Sequence, residues 1–183
     1  VSDPELWIVT GVSAAGKSTV GQALAERLDP SAHVRGDVFR RFVVNGRLEM
    51  GLDASPEAIA QLRHRYRLGV QTAESFVAEG FTTVLQDVIL GPALDEVLAT
   101  VRVRPAHLVV LAPSVDAVLL REAGRSKSGY DRFTAEALDQ LLRTETPRRG
   151  LWLDTSDLTV DDTVDEVLDR AVESLLPSVR GGR

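Results

Sequence analysis

Gly11-Val12-Ser13-Ala14-Ala15-Gly16-Lys17-Ser18 fits the phosphate-binding spacing G-x-x-x-x-G-K-[ST] without a gap, and Thr19 follows it. Upstream, Leu6-Trp7-Ile8-Val9-Thr10 reads as a short buried strand. Downstream, Val20 to Leu28 reads as a helix with Ala23, Leu24 and Leu28 on one face. Gly11 and Gly16 can take backbone angles closed to other residues. Successive amides can then turn inward at the positive end of the helix and form a concave anion site. Gly11, Ser13, Ala14, Ala15, Gly16, Lys17, Ser18 and Thr19 are the nucleotide-binding candidates. Lys17 is placed to reach the β- and γ-phosphates, and the Ser18 hydroxyl to hold Mg²⁺.

The remaining chemistry is read outward from this loop. Ala32-His33-Val34-Arg35 predicts a second strand closing at Gly36-Asp37. In open α/β sheets ligands bind beyond the carboxyl ends of the strands, so Asp37 is expected beside the phosphate loop. There it would orient an acceptor hydroxyl and take its proton, although Asp also suits a helix N-cap before Val38 to Val44. Arg40 lies close behind it as a substrate-binding candidate. Pro56 to about Glu79 predicts a long helix, with Ser55 as N-cap and Gly80 as the stop. Arg63 and Arg67 lie one turn apart on a flank of its apolar stripe, and the run Arg63, His64, Arg65 and Arg67 reads either as contacts to an anionic substrate or as a solvated basic face.

Phe81 to Gln86 predicts a third strand ending at Asp87. A carboxylate there can hold Mg²⁺ directly or through water, or contact substrate, or simply cap a turn. His107 to Ala112, between Pro105 and Pro113, predicts a strand buried on both faces, with Ser114 capping a helix from Val115 to Ala123. Arg121 to Arg132 combines Arg121, Arg125, Lys127 and Arg132 with two glycines, the composition of a short arginine lid at about 121–133. Arg121 and Arg125 are the candidates there for stabilising the transferring group. Thr134 is expected to cap a helix from Ala135 to Arg143. Leu151 to Thr155 predicts the last strand, Thr159 to Asp162 a capping box, and 178–183 a flexible tail.

The 183 residues suit a single domain, 1–183, and 44% hydrophobic content suits a globular one. With no cysteine there is neither a disulfide framework nor a thiolate metal site, and His33, His64 and His107 lack metal-ligand spacing. The net charge of −6 argues against binding duplex nucleic acid. No run is long and apolar enough to cross a membrane, and Val1 to Glu5 lacks a signal-peptide pattern, so a cytoplasmic enzyme is the expectation. It would be a monomer or homodimer.

Alternating strands and helices predict a three-layer α/β/α sandwich around a five-stranded parallel sheet. The chain resembles the P-loop small-molecule kinases, a group that includes gluconate and shikimate kinases, adenylate kinase and chloramphenicol phosphotransferase. Gly11 to Thr19 looks like the gluconate-kinase loop. Asp37 and Gln86-Asp87-Val88-Ile89-Leu90-Gly91 look like chloramphenicol phosphotransferase. The resemblance implies strand order 2-3-1-4-5, the arginine lid, and adenine held near Arg125 and the loop after Leu151 to Thr155. The implied cofactors are ATP and Mg²⁺, and the implied reaction is phosphoryl transfer to a hydroxyl of a sugar, sugar acid or antibiotic-like alcohol. A nucleoside or nucleotide kinase, with Arg40, Arg63 and Arg67 on an acceptor phosphate, remains open. So does a nucleotide-dependent regulatory module.

Overall fold

A computed structural model describes residues 3–51, 53–124 and 132–177. In chain order the elements are β1 (Leu6–Gly11), α1 (Lys17–Glu26), β2 (Ser31–Arg35), α2 (Asp37–Arg41), α3 (Pro56–Ala78), β3 (Thr82–Gln86) and α4 (Ala93–Leu98). They continue with β4 (Ala106–Leu111), α5 (Val115–Ala123), α6 (Arg132–Gln140), β5 (Leu151–Leu153), α7 (Val160–Asp169) and α8 (Ala171–Ser174). The strands pair in parallel in the order β2-β3-β1-β4-β5, as the resemblance implied.

Every residue of β1 and β4 is buried, which is why both segments read as unbroken apolar runs. Val84 and Leu85 are consecutive on β3 and so point to opposite faces of the sheet. A Cβ on Gly21 of α1 would lie 3.5 Å from Val84 Cγ1, and one on Gly69 of α3 would lie 3.3 Å from Leu85 Cδ1. The helices α1 and α3 therefore cover opposite faces, and the core is two apolar layers on either side of β1, β3 and β4. On the α1 side α7 packs against it, opened by Thr159, whose hydroxyl accepts from Asp162 N while Asp162 accepts in return. Ser55 and Ser114 cap α3 and α5 through their side chains.

Three local expectations are corrected. Helix α2 ends at Arg41 instead of continuing to Val44, with Phe42 as its C-cap. Thr134 is not a cap, because α6 already begins at Arg132, whose guanidinium pairs with Asp116 and Glu136. The same helix widens into a π-helical turn, Leu141–Glu145, that closes with Thr146 N donating to Leu141 O at 3.1 Å. The final strand stops at Leu153 because the Asp154 carboxylate accepts from Ser156 N and Oγ and turns the chain.

Parallel pairing brings the carboxyl ends of all five strands to one edge. The connections after β1, β2, β3 and β5 carry Gly11 to Ser18, Asp37, Asp87 and Thr155 respectively, so the candidate residues share that edge.

Candidate active site

The phosphate loop is shaped by three left-handed residues: Gly11 at φ 144°, Ala14 at 58° and Gly16 at 96°. Gly11 has a second constraint, because a Cβ there would sit 2.3 Å from Leu111 O on β4. Ala14 is the non-glycine residue that shares this geometry among the described residues, and nothing in the sequence pattern requires it to. Gly16 is the N-cap of α1 and no side chain caps that helix, so its first turn faces the loop without a side-chain acceptor in the way. Lys17 is buried, and its Nζ donates to Val12 O at 2.6 Å across the loop. Ser13 and Ser18 are half-buried and Thr19 is exposed.

Asp37 is the first residue of α2 rather than its N-cap, and its carboxylate is half-exposed at the end of β2. Gln86 Nε2 donates to it at 3.4 Å; Arg35 and Arg41 stand 3.7 and 3.9 Å away. Asp87 is close by across the sheet edge: Gly36 N donates to Gln86 O, and a Cβ on Gly36 would fall 2.2 Å from Asp87 Oδ2. Asp87 N donates to Val9 O. Thr10 Oγ1 then exchanges hydrogen bonds with Ile89 N and O, fixing the end of β3 against the strand that feeds the loop.

Asp87 itself is only 5% exposed, and both its oxygens are engaged. Arg65 Nε donates to Oδ2 at 3.0 Å, Arg65 Nη2 to Oδ1 at 2.7 Å, and Val88 N to Oδ1 at 2.8 Å. Burial pushes the Asp87 carboxyl up, while Arg65 first, then the Val88 amide and Lys17, pull it back. The next residue on α3, Tyr66, donates its hydroxyl to Val88 O at 2.6 Å, and burial raises its phenol.

The other cations are placed differently from one another. Arg121 reaches the loop, donating Nη1 to Ala15 O at 3.3 Å and Nη2 to Thr155 O, and so joins the phosphate loop to the chain after β5. Between them lies a cavity of about 310 Å³ lined by Ala14, Gly16, Arg121, Thr155, Thr159 and Thr163. The Thr155 hydroxyl is buried with no hydrogen-bond partner among the described residues. Arg40 pairs with Glu49. Arg63 is held bidentately by Glu96 of α4 at 2.9 and 2.8 Å, and Arg67 contacts His64 on an exposed flank of α3. Neither Arg63 nor Arg67 is brought to Asp37. Arg125, with most of the expected lid and the 178–183 tail, lies outside the described residues.

Arg65, read from the sequence only as one of a basic run that could contact an anionic substrate, is instead paired with Asp87. Its signal was present: it sits three residues after Leu62 and four before Gly69, on the side of α3 that packs on the sheet. Gln86 and Thr155 carry no comparable pattern.

The fit to a nucleotide and its metal can be tested on these residues. An uncapped helix start, a buried lysine and a left-handed glycine loop suit phosphate oxygens. Among the described residues no three carboxylates or histidines gather as a metal cage. Mg²⁺ that draws its ligands from phosphates and water needs only one or two protein groups, and Ser18 and Asp87 are the candidates for those.

A parallel sheet ordered 2-3-1-4-5, with this loop between β1 and α1 and carboxylates ending β2 and β3, is the P-loop kinase fold. The chain belongs to the AAA_33 family, an AAA domain, whose model matches residues 6–147. No curated protein matches the chain in sequence. Among solved structures it is similar to a sugar kinase from Janibacter sp. HTCC2649, with a TM-score of 0.67 and 16% identity over 93% of this chain and 95% of that one. An APS kinase from Mycobacterium tuberculosis in complex with AMPPNP and APS has a TM-score of 0.66 and 19% identity, covering 94% of this chain and 99% of that one. A gluconokinase from Sinorhizobium meliloti 1021 has a TM-score of 0.64 and 20% identity, covering 94% of each. At these identities the likeness concerns the fold.

Proposed function

We propose that the chain is an ATP-dependent phosphotransferase that moves the γ-phosphoryl group of Mg-ATP to a hydroxyl of a small molecule. The observation that carries this reading is the pairing of two features on one sheet edge: a phosphate loop with its buried Lys17, and the half-exposed carboxylate of Asp37. A regulatory nucleotide switch needs the first and not the second. Kinase neighbours with sugar, gluconate and APS in their names support the same reading.

In the reaction, amides of residues 13–19 and the Lys17 ammonium hold the phosphates, Lys17 exchanging Val12 O for phosphate oxygen. Asp37 accepts a hydrogen bond from the acceptor hydroxyl and takes its proton as the new O–P bond forms. The bond from γ-phosphorus to the bridging oxygen breaks, and ADP leaves with that electron pair. Ser18 and Asp87 would hold Mg²⁺, which would supply positive charge against the charge that develops on the phosphates. Arg121, and Arg125 beyond it, neutralise charge on the transferring group. Adenine would occupy the cavity beside Arg121 and Thr155.

A second reading, in which the acceptor itself carries a phosphate or sulfate, is favoured by one observation. Arg35 and Arg41 flank Asp37 within 4 Å, and Arg40 stands on the same short helix. The test is incubation with Mg-ATP and pooled sugars, sugar acids, hydroxylated antibiotics, nucleosides and nucleotides, read by mass spectrometry, with Lys17→Ala as the control. A phosphorylated product that vanishes in Lys17→Ala is the expected result and names the acceptor class. A product formed equally well by Lys17→Ala sinks the assignment. Slow ATP hydrolysis with no acceptor modified would favour the regulatory module instead.

A further inference from the structure

The Arg65–Asp87 pair is hard to explain as a fastening for the fold. Exchanging well-packed apolar groups for a buried ion pair seldom adds stability, because desolvation of both charges offsets their attraction. Nor does α3 need Arg65 to reach the sheet. Tyr66, one residue on, already ties α3 to Val88 O, and Gly69 brings the helix into contact with Leu85. What the pair supplies is a carboxylate with one orientation. Arg65 grips both oxygens of Asp87 from the α3 side, Val88 N donates to one of them, and Gly36 leaves room for the other where any larger residue would overlap it. The guanidinium side chain is 15% exposed and the carboxylate 5%, so neither is free to swing through solvent.

We propose that Arg65 is a positioning residue for the nucleotide's metal: it holds the Asp87 carboxylate beside the phosphate loop in the orientation that the Mg²⁺ of bound ATP uses. The inference rests on the phosphotransferase reading for its choice of nucleotide. Arg65 does not touch the metal or the phosphates itself. It acts through Asp87, as the outer partners of metal-binding carboxylates do elsewhere, where their loss weakens metal affinity about 10–100-fold. The planar two-point grip is a property of guanidinium that an ammonium cannot reproduce.

The experiment compares Arg65→Met, Arg65→Lys and Tyr66→Phe with the unmodified chain. ATP affinity is measured calorimetrically in Mg²⁺ and in EDTA, and thermal unfolding is followed in parallel. The expected result for Arg65→Met is an unchanged affinity for metal-free ATP. The additional tightening that Mg²⁺ gives should shrink, and the Mg²⁺ concentration needed for half-maximal binding should rise about 10-fold or more. Arg65→Lys should fall between Arg65→Met and the parent, and it carries the test if Arg65→Met does not fold. Tyr66→Phe removes the neighbouring tether without touching Asp87. It should lower the unfolding midpoint while leaving the Mg²⁺ dependence unchanged.

Arg65 variants with the parent's Mg²⁺ dependence would overturn the proposal, as would a Tyr66→Phe shift in that dependence of equal size. Failure of the phosphotransferase reading is seen separately, in the acceptor screen with Lys17→Ala. A chain that binds Mg-ATP and phosphorylates nothing still reports on Arg65 through binding alone.

Discussion

The phosphate loop and the α2–α3 connection flank the same sheet edge, yet they are held by different means. Gly11, Val12, Ala14, Ala15 and Lys17 are all buried, and the loop's shape comes from backbone angles and from contact with β4 behind it. Residues 44–51 are exposed throughout, and side chains hold that segment. Gln61 spans it by donating to Gly46 O and accepting from Leu48 N, while Glu49 pairs with Arg40 and Arg47. The difference fits what each region would recognise on the proposed function. Phosphate groups present the same oxygens whatever the acceptor, so a rigid backbone cradle serves them. On the proposed function an acceptor would meet side chains instead, and those of residues 44–51 sit on a surface where they can change without disturbing the core.

The sharpest way to test that division is to remove the one acceptor-side group assigned to chemistry. Asp37→Asn keeps the size of the side chain and its hydrogen bond from Gln86 but cannot take a proton. With the acceptor identified by the screen, kcat should fall by about 10²–10⁴-fold. The KM for ATP should stay near that of the parent, because Asp37 stands on α2 and not in the loop. A loss confined to ATP affinity would place Asp37 on the nucleotide side and break the comparison.

Next in size is a pair of glycine substitutions, one in each region. Gly11→Ala must adopt φ 144° and place its Cβ 2.3 Å from a backbone oxygen. Backbone strain and overpacking together should cost about 3 kcal/mol in urea unfolding, and nucleotide affinity should fall with it. Gly46→Ala must adopt φ 76°, but its Cβ would meet nothing within 4 Å. Left-handed strain alone should cost about 1 kcal/mol and leave ATP binding intact. Equal costs would show that the loop is no more crowded than the surface connection.

The same contrast explains what could be read in the chain before its fold was known. The phosphate loop was legible because its chemistry is local: eight consecutive residues fix the turn, the anion site and the start of α1. The buried strands were legible because β1 and β4 are covered on both faces and so are apolar without interruption. Strand order came from the resemblance to P-loop kinases, since periodicity says nothing about which strands are neighbours. The π-helical turn after α6 was out of reach because Thr146 makes it: its hydroxyl donates to Leu141 O and accepts from Gly91 N, 55 residues away in sequence. Arg65 was legible only as one of a basic run: its spacing from Leu62 and Gly69 marks the inward side of α3, but nothing in the sequence names Asp87 as the partner it meets there.

Arg63 supplies the smallest and last test, because it asks whether a cation two residues from the site belongs to the site at all. Its guanidinium forms a two-point pair with Glu96, the same geometry that Arg65 makes with Asp87. The surroundings differ: the Arg63 and Glu96 side chains are 54% and 48% exposed, against 15% and 5% for the inner pair. Water solvates both exposed charges as well as the pair does, and salt screens what attraction is left. Arg63→Met should therefore leave the unfolding midpoint, the Mg²⁺ dependence and the KM for ATP within error of the parent. An acceptor KM that rises several-fold in Arg63→Met, and does so less at high salt, would show that Glu96 gives Arg63 up to an anionic acceptor. That outcome would extend the acceptor surface from α2 across to the α3–α4 side, and would favour the acceptor class that carries its own phosphate or sulfate.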